Sequence, residues 1–263
     1  MVSKKFFLIF LLMLLVSGCS TTMNTDLNET ENINAKKFLS LIHEINAASP
    51  DTISSSFTAD GITGDKKFRV EGSVNFDKKG YYKIKILDYV FKSTVLETYR
   101  ELDRLYFYYP VEKKLLIDDA GRIELSMYTG FKTDYKLLYT LLTGGIPVID
   151  KFTVYKCLHD EKEGGYNLII ENDEYYENIF FRGDVPEKIL FIHKLSRNKS
   201  EIYLKSIVKK DKSIFFKNYK IVVPEANTAI NVSFSKLQLN TAVSVNKFNR
   251  QNLPKQTGIV KVN

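Results

Sequence analysis

Apolar and polar residues alternate over long stretches of this chain, and this alternation constrains its fold more than any other feature. In the segment 68–76 every second residue is apolar except Gly72, and the alternation resumes over 82–86 after a turn signal at Asp77–Gly80. A period of two places all the apolar side chains of a strand on one face. The two segments therefore predict an antiparallel hairpin with one face buried and one face in water.

Further short segments with strand character follow at regular spacing and bring the expected number of strands to about eleven. They lie near Thr94–Tyr99, Leu105–Tyr109, Leu115–Ile117, Phe152–Leu158, Tyr166–Ile170, Ile189–Lys194, Glu201–Val208, Ser213–Val223 and Ile230–Leu239. Such spacing favours one large antiparallel sheet or barrel over parallel β-α-β units. Because each strand twists relative to its neighbour, a sheet of this size is expected to curl.

Two amphipathic helices are predicted beside the sheet. The first has apolar residues at positions 38, 41, 42 and 45 and ends at Pro50 and Asp51. The second lies within Asp134–Thr143, has apolar residues at 137, 138, 141 and 142, and is stopped by Gly144 and Gly145. Because a curled sheet with an apolar inner face must be plugged or hold an apolar ligand, we expect these helices to cover that face.

The first residues of the chain have the pattern of an export signal. Lys4 and Lys5 precede an uncharged apolar run, Phe6–Val16, which is too short to span a bilayer but matches a secretory signal peptide. Val16-Ser17-Gly18-Cys19 then resembles the lipobox of bacterial lipoproteins. The sequence therefore predicts a signal peptide over 1–18, lipid attachment at Cys19 and a flexible polar tether over 19–34. The alternative is an ordinary signal peptide that contains a cysteine.

Composition fits one large domain after the tether, which we place at 35–254 and follow with a tail at 255–263. The chain is 44% hydrophobic and 13% aromatic, and its formal charge of +7 is spread without blocks of like charge. That excess indicates either attraction to anionic headgroups or simply a lysine-rich surface, and nucleic acid is not an expected partner. With Cys19 modified, Cys157 has no cysteine to pair with and is expected to be a small buried hydrophobe.

Motifs that carry chemistry are missing from the sequence. The three histidines, His43, His159 and His193, have no metal-ligand spacing, and there is no nucleophile elbow, zinc-protease motif or phosphate-binding loop. We therefore expect no metal, no cofactor and no enzymatic activity.

Several segments, in their order and spacing, are similar to a known family. They are Gly61-Ile62-Thr63-Gly64, Val70–Phe76, Tyr82–Ile86, Leu141–Val148 and Ile230–Ser235 with the tail through Phe248 to Pro254. Over roughly Phe38 to Pro254 the chain resembles the LolA/LolB-like lipoprotein carriers of diderm bacteria, in particular the lipid-anchored LolB branch.

The resemblance implies an unclosed half-barrel of roughly 11 strands, capped by two or more helices, whose apolar cavity holds the acyl chains of another lipoprotein. A LolB-like member receives this cargo from a soluble periplasmic carrier and inserts it into the outer membrane. The implied protein is a monomer that is lipid-anchored in the outer membrane and faces the periplasm.

The alternation and the resemblance together predict which residues form the site. The expected cavity-lining residues are Phe38, Ile42, Phe68, Val70, Val74, Tyr82, Ile84, Ile86, Phe107, Leu138 and Leu142. The family also carries an apolar residue on a protruding loop between its third and fourth strands, and here Tyr89, Val90 and Phe91 occupy that place. We expect this loop to insert into the membrane, and the alternative is that Phe91 starts a buried strand.

Two alternative functions are compatible with the same fold. A lipoprotein that binds a protein partner, as an accessory of envelope assembly, would have a filled interior. An enzyme acting on envelope lipids would need a nucleophile and a base at the mouth of the cavity.

Overall fold

The computed structural model describes residues 27–119, 135–210, 213–242 and 258–261. The predicted signal peptide, Cys19 and the first part of the tether lie outside these residues. Among the helices of the described ranges, none is both long enough and apolar enough to cross a bilayer.

Strands make up most of the described chain and form a single sheet. They are β1 (Thr52–Thr63), β2 (Lys66–Asp77), β3 (Tyr81–Asp88), β4 (Thr94–Glu101), β5 (Arg104–Tyr109), β6 (Lys114–Asp119), β7 (Thr153–Asp160), β8 (Gly165–Glu171), β9 (Tyr175–Arg182), β10 (Val185–His193), β11 (Lys199–Lys210), β12 (Ser213–Val223), β13 (Thr228–Leu239) and β14 (Gly258–Lys261). Their order in the sheet is β14-β6-β5-β4-β3-β2-β1-β13-β12-β11-β10-β9-β8-β7. All neighbours are antiparallel except β14, which pairs with β6 in parallel. Since β14 and β7 are the two edges and do not pair with each other, the sheet is unclosed.

The predicted mainly-β fold with one large unclosed antiparallel sheet is confirmed, but the predicted number of about eleven strands is too low. Strand β9 was missed, and β1 was indicated only by the family resemblance at residues 61–64, because polar residues occupy positions in their buried rows. Ser55 in β1 and Glu177 in β9 are both buried, and each interrupts the apolar alternation of its strand. Strand β14 was missed because the residues after 254 were assigned to a tail.

Helix α1 (Glu29–Ala47) begins earlier than the sequence predicted. Asn28 caps it, because the Asn28 side chain accepts a hydrogen bond from the Glu31 amide at 2.9 Å and the Glu31 carboxylate accepts one from the Asn28 amide at 3.1 Å. This reciprocal capping box satisfies amide groups that the first turn leaves without helical partners. The tether predicted over 19–34 is therefore wrong at its end, since residues 29–34 are helical. Helix α2 (Tyr135–Leu142) lies where the leucine stripe predicted it.

The face of the sheet against which α1 packs is called the inner face, and the opposite face the outer face. Buried residues of α1, of β1–β3, of β5 and of β7–β13 belong to one contiguous hydrophobic cluster. In a flat sheet of fourteen strands spaced about 4.8 Å apart the two edges would be about 60 Å from each other. Because one cluster joins both parts of the sheet, the sheet curls around it.

Strands β5 and β6 carry apolar residues on both faces, and Tyr99 of β4 extends the outer apolar surface. Tyr99, Tyr106, Tyr108 and Leu115 form a second buried cluster. The register pairs Tyr99 with Tyr106 and Tyr108 with Leu115, so these side chains share the outer face. The one-sided burial predicted for the hairpin at 68–86 therefore does not extend to this part of the sheet.

The antiparallel order sorts the turns to two ends of the sheet. The upper end carries the turns at 63–66, 88–94, 109–114, 171–175, 193–199 and 223–228. The lower end carries those at 77–81, 101–104, 160–165 and 182–185, together with the junction from α1 into β1.

Candidate functional site

The strand register places the predicted sheet residues on the inner face together. Val74 lies opposite Ile84, and Phe76 lies opposite Tyr82. Ile84 in turn pairs with Thr98, which pairs with Phe107. Because directly paired residues of antiparallel strands point to the same side, Phe68, Val70, Val74, Tyr82, Ile84, Ile86 and Phe107 all face inward. Whether these side chains line a lipid-binding cavity stays a prediction.

Burial along this inner face changes from the lower end to the upper end. Toward the lower end Ile53, Phe76 and Tyr82 are buried. Toward the upper end the apolar residues of the same strands, except Ala59, are only partly buried. We call this partly exposed set the upper groove, and it consists of Phe57, Phe68, Val70, Ile84, Ile86 and Leu96. The inner face of β1–β4 is thus a closed core below and an accessible apolar surface above.

Gly72 gives the upper groove its shape. It lies opposite both Phe57 and Ile86 on the inner face. A Cβ atom added to Gly72 would lie 2.4 Å from the Phe57 ring and 2.4 Å from the Lys85 carbonyl oxygen. The ring of Phe57 therefore occupies the space above Gly72, and a larger residue there would displace it.

Helix α1 covers the lower end. The ring of Phe38 stacks on Phe181 with centroids 4.5 Å apart and also contacts Tyr166 at 5.4 Å. The Lys37 ammonium lies 2.7 Å from the Asp184 carboxylate in a lower turn. Phe38 and Ile42 are buried, as expected of covering residues.

Helix α2 lies against the first strands near the same end. The ring of Tyr139 meets Phe76 at 5.3 Å, and the Leu141 carbonyl accepts a hydrogen bond from the Tyr219 hydroxyl at 2.9 Å. Leu142 is partly buried against the core. The side chain of Leu138 lies outside the described part of the structure.

A segment that we call the strap, Gly144–Asp150, connects α2 to the upper end of β7. Asn46 of α1 fixes one point of it, because its side chain donates to the Ile146 carbonyl at 3.0 Å and accepts from the Ile146 amide at 2.6 Å. Glu177 of β9 fixes another, by accepting a hydrogen bond from the Ile149 amide at 2.8 Å. The strap thus crosses the inner face of strands that follow β6 in the sequence.

Glu177 is fully buried on this inner face, between Ile170 and Phe191 of the neighbouring strands. Its second carboxylate oxygen has no hydrogen-bond partner. Burial raises the pKa of Glu177 to about 8, and the hydrogen bond from Ile149 opposes this rise. The side chain is therefore largely neutral at pH 7, which lowers the cost of holding it in an apolar core.

The loop at Tyr89–Phe91 is a tight turn of defined geometry. The Asp88 carboxylate accepts hydrogen bonds from the amides of Val90 at 3.0 Å and Phe91 at 2.7 Å. Arg69 and Lys92 stack on the Tyr89 ring at 4.3 and 4.5 Å. Val90 and Phe91 project into solvent, with 73% and 83% of their surfaces exposed. The alternative in which Phe91 starts a buried strand is therefore excluded, while insertion of the loop into a membrane stays a prediction.

The described residues include no clustered metal ligands, and their free cysteine is buried. No group of three or more His, Cys, Asp or Glu side chains within them is placed to hold a metal ion. Cys157 is a buried free thiol, and burial, with a smaller contribution from Glu31, raises its pKa to about 11. A thiol held in this neutral form is a packing residue and a poor nucleophile.

Comparison with known proteins identifies the fold. The chain is similar to a DUF1329 family protein from Desulfovibrio piger, with a TM-score of 0.61 and 13% identity over 84% of this chain and 99% of the other. It is also similar to a putative outer membrane lipoprotein-sorting protein domain from Vibrio parahaemolyticus, with a TM-score of 0.60 and 14% identity over 84% of this chain and 99% of that one. A LolA superfamily protein from Nitrosomonas europaea matches with a TM-score of 0.58 and 7% identity over 82% and 98% of the two chains.

No family model matches the sequence, and no curated protein matches it. The predicted LolA-like fold is thus supported by structures whose names include the LolA superfamily and lipoprotein sorting. Assignment to the LolB-like branch rests on the sequence resemblance alone.

Sequence reasoning missed several residues of the site. Phe57 was missed because the resemblance indicated β1 only at residues 61–64, although the glycine opposite Phe57 was noticed in the apolar row. Glu177 was missed because acidic residues are seldom buried, and its neighbours do not mark it as an inner residue. The sequence identified the strap only as the residues that end α2. Its hydrogen bonds to Asn46 and Glu177 join distant parts of the chain, so no local pattern indicates them.

Proposed function

We propose that this chain is a non-enzymatic, lipid-anchored acceptor that binds the acyl chains of lipoproteins in the upper groove and inserts them into the outer membrane. It acts as a monomer facing the periplasm, is held by lipid on Cys19, and receives cargo from a soluble periplasmic carrier. The observation that carries the proposal is the partly exposed apolar lining of the upper groove, which opens at the end that also bears Phe91. The fold likeness to lipoprotein-sorting and LolA superfamily proteins supports it.

The energetics favour such a site. Acyl chains in water cost about 0.8 kcal/mol per CH₂ group, so a chain of ordinary length cannot move between membranes unshielded. When an acyl chain fills the partly exposed apolar groove, the groove residues are also removed from water, and this burial adds favourable free energy to binding. A core that is already packed with side chains would offer no such gain. The lower half of the inner face is packed in this manner.

Co-purified lipid tests the groove directly. We expect acyl-chain cargo to be found by mass spectrometry with the natively purified protein and to be lost in Val70→Glu, which puts a charge into the upper groove. Ser73→Glu is the matched control, because Ser73 lies on the outer face of the same strand opposite Lys85. Wild-type protein without bound acyl chains, or equal loss in both variants, would contradict lipid binding and favour a protein-binding accessory.

The exposed turn tests delivery. Phe91→Glu should leave the melting temperature and cargo binding unchanged, because the side chain is 83% exposed, but should slow release of cargo into liposomes. An aromatic ring can enter the bilayer interface, whereas a carboxylate is repelled from it. Phe91→Leu, which keeps an apolar tip, should release cargo at nearly the wild-type rate. Release at the wild-type rate from Phe91→Glu would remove this residue from the mechanism.

A further inference from the structure

The most exposed large apolar side chains of the described chain all lie at one end of the sheet. Val90, Phe91, Val111 and Leu195 are 73%, 83%, 81% and 92% exposed. They occupy three different turns, at 88–94, 109–114 and 193–199, and all three turns belong to the upper end. Chance placement of exposed residues would distribute them over both ends and over α1.

The three turns also share a local construction. In each, the apolar residue lies two positions before a cation whose backbone has a positive φ angle. These cations are Lys92, Lys113 and Arg197, with φ angles of 55°, 50° and 60°. Positive φ is uncommon for residues other than glycine, so each turn maintains an unfavourable backbone state.

Two of the turns are alike in their hydrogen bonds as well. The amide of Lys92 donates to the carbonyl of Asp88 at 3.0 Å, and the amide of Arg197 donates to that of His193 at 2.9 Å. In each turn the side chain of the first residue also accepts from an amide three positions later, at 2.7 Å for Asp88 and 3.1 Å for His193. The equivalent positions therefore hold Val90 and Leu195 at the tips of similarly built turns.

The lower end differs in the charges beside its apolar residues. Leu102 is 55% exposed and lies between Glu101 and Asp103, and Val185 is 40% exposed and follows Asp184. Carboxylates beside an apolar tip are repelled by an anionic surface, whereas the lysines and arginine of the upper turns are attracted to one. Carboxylates occur beside the upper tips as well, since Glu112 follows Val111 directly, so charge separates the two ends less sharply than exposure does.

The outer face next to the upper turns is cationic too. A pocket of about 580 Å³ lies beside the turn at 63–66, where the cations Lys67, Arg69 and Lys220 share its wall with Asp60 and with apolar residues that include Ile62 and Phe68. Arg69 is also the residue that stacks on Tyr89 beneath the exposed turn. Phosphate headgroups are the complement of such a surface, because lysine and arginine both bind phosphate oxygens.

We infer that the three upper turns form one bilayer-docking rim, which seats the open end of the upper groove on an anionic phospholipid surface. This rests on the proposed function and extends it from the single turn at Phe91 to Val111 and Leu195 on separate turns of the upper end. The apolar tips enter the interface while Lys113 and Arg197, two residues after Val111 and Leu195, meet the headgroups. Lys92 already pairs with the Glu71 carboxylate at 2.8 Å. Contact at three turns fixes the direction of the groove, which contact at one turn cannot do.

The length of the anchor permits this orientation. Leu27 packs against the core at the start of α1, and Glu31 lies close enough to Cys157 in the middle of β7 to affect its pKa. The eight residues from Cys19 to Leu27 span at most about 28 Å when fully extended. Strand β7, with 8 residues, is about as long. A lipid at Cys19 can therefore hold the upper end against the membrane.

The chain contains no tryptophan, so single substitutions provide local fluorescence reporters. We would compare Val111→Trp, Leu195→Trp and Phe91→Trp with Leu102→Trp at the lower end. Each full-length lipidated protein would be reconstituted in vesicles of phosphatidylethanolamine and phosphatidylglycerol with brominated acyl chains. Because the anchor holds every variant on the vesicle, quenching reports which end faces the bilayer and not whether the protein is attached.

Blue-shifted emission quenched by the brominated chains is expected at positions 111, 195 and 91, with neither change at 102. Charge reversal at Lys113 and Arg197 together should reduce the quenching of the tryptophan at 195. If positions 111 and 195 behave like 102 while 91 is quenched, the three-turn rim is refuted and single-turn contact remains. A different result would refute the proposed function, namely that no acyl chains co-purify with the protein.

Discussion

The inner face of strands β7–β11 is covered from the lower to the upper end, whereas that of β1–β4 is covered only in its lower half. In the first of these regions Leu168, Ile170, Ile179 and Ile189 are fully buried beneath α1 and the strap. In the second, residues of the same apolar types at the upper end stay partly exposed. The strands are alike in construction, so the difference comes from the elements that cross them. An apolar face becomes a core or a binding surface according to its cover.

The largest expected difference between the two regions is in the cost of losing a phenylalanine. Phe181→Ala should lower the free energy of unfolding by about 3–5 kcal/mol, because the ring is fully buried and stacks on Phe38. Phe57→Ala should cost only about 1–2 kcal/mol, since a partly exposed ring buries less area. Chemical denaturation of both variants measures the contrast. Equal losses would mean that the upper groove is packed as tightly as the covered region.

Glu177 makes the covered region sensitive to pH. Its pKa is raised to about 8 in the folded protein from an ordinary value of 4.5, so the folded state retains a proton that the unfolded state releases between these values. Stability should therefore fall as pH rises through this range, by roughly 1 kcal/mol per pH unit, and level off above it.

Glu177→Gln removes this proton while keeping an acceptor for the Ile149 amide. Unfolding titrations at several pH values between 5 and 8 should show a steeper pH dependence for the wild type than for the variant. Parallel pH profiles would mean that the carboxyl group is not held neutral by burial.

Releasing the strap should have a smaller effect and make the two regions more alike. Asn46→Ala removes both hydrogen bonds to Ile146 and should cost about 2 kcal/mol, because the Ile146 amide and carbonyl are left buried without partners. Hydrogen exchange at the Ile146 and Ile149 amides should become faster.

Ser40→Ala provides the control for Asn46, since the Ser40 hydroxyl bonds only to the exposed Glu44 side chain on the same helix. It should leave exchange in the strap unchanged. Unchanged exchange in Asn46→Ala as well would show that Glu177 alone holds the strap.

The sequence predicted those parts of the fold in which local pattern and burial agree. The 68–86 hairpin and the leucine stripe of α2 could be read because period and burial coincide there. Strands β1 and β9 could not, because Ser55 and Glu177 occupy buried positions whose partners lie elsewhere in the chain. The turn at Phe91 was found through a family resemblance. Val111 and Leu195 join it only after the strand order assigns their turns to the same end.

The contact between Phe38 and Phe181 has a consequence for the order in which the chain folds. These residues are more than 140 positions apart, and β1 finds its partner β13 only when residues up to 239 are available. Pairings between such distant residues close slowly, because the entropy of closing the loop is lost before the contacts form. Under the export that we propose, a chain that crosses the inner membrane from its N-terminus presents α1 long before the strands that receive it. The apolar stripe of α1 then stays exposed to water until most of the polypeptide has crossed.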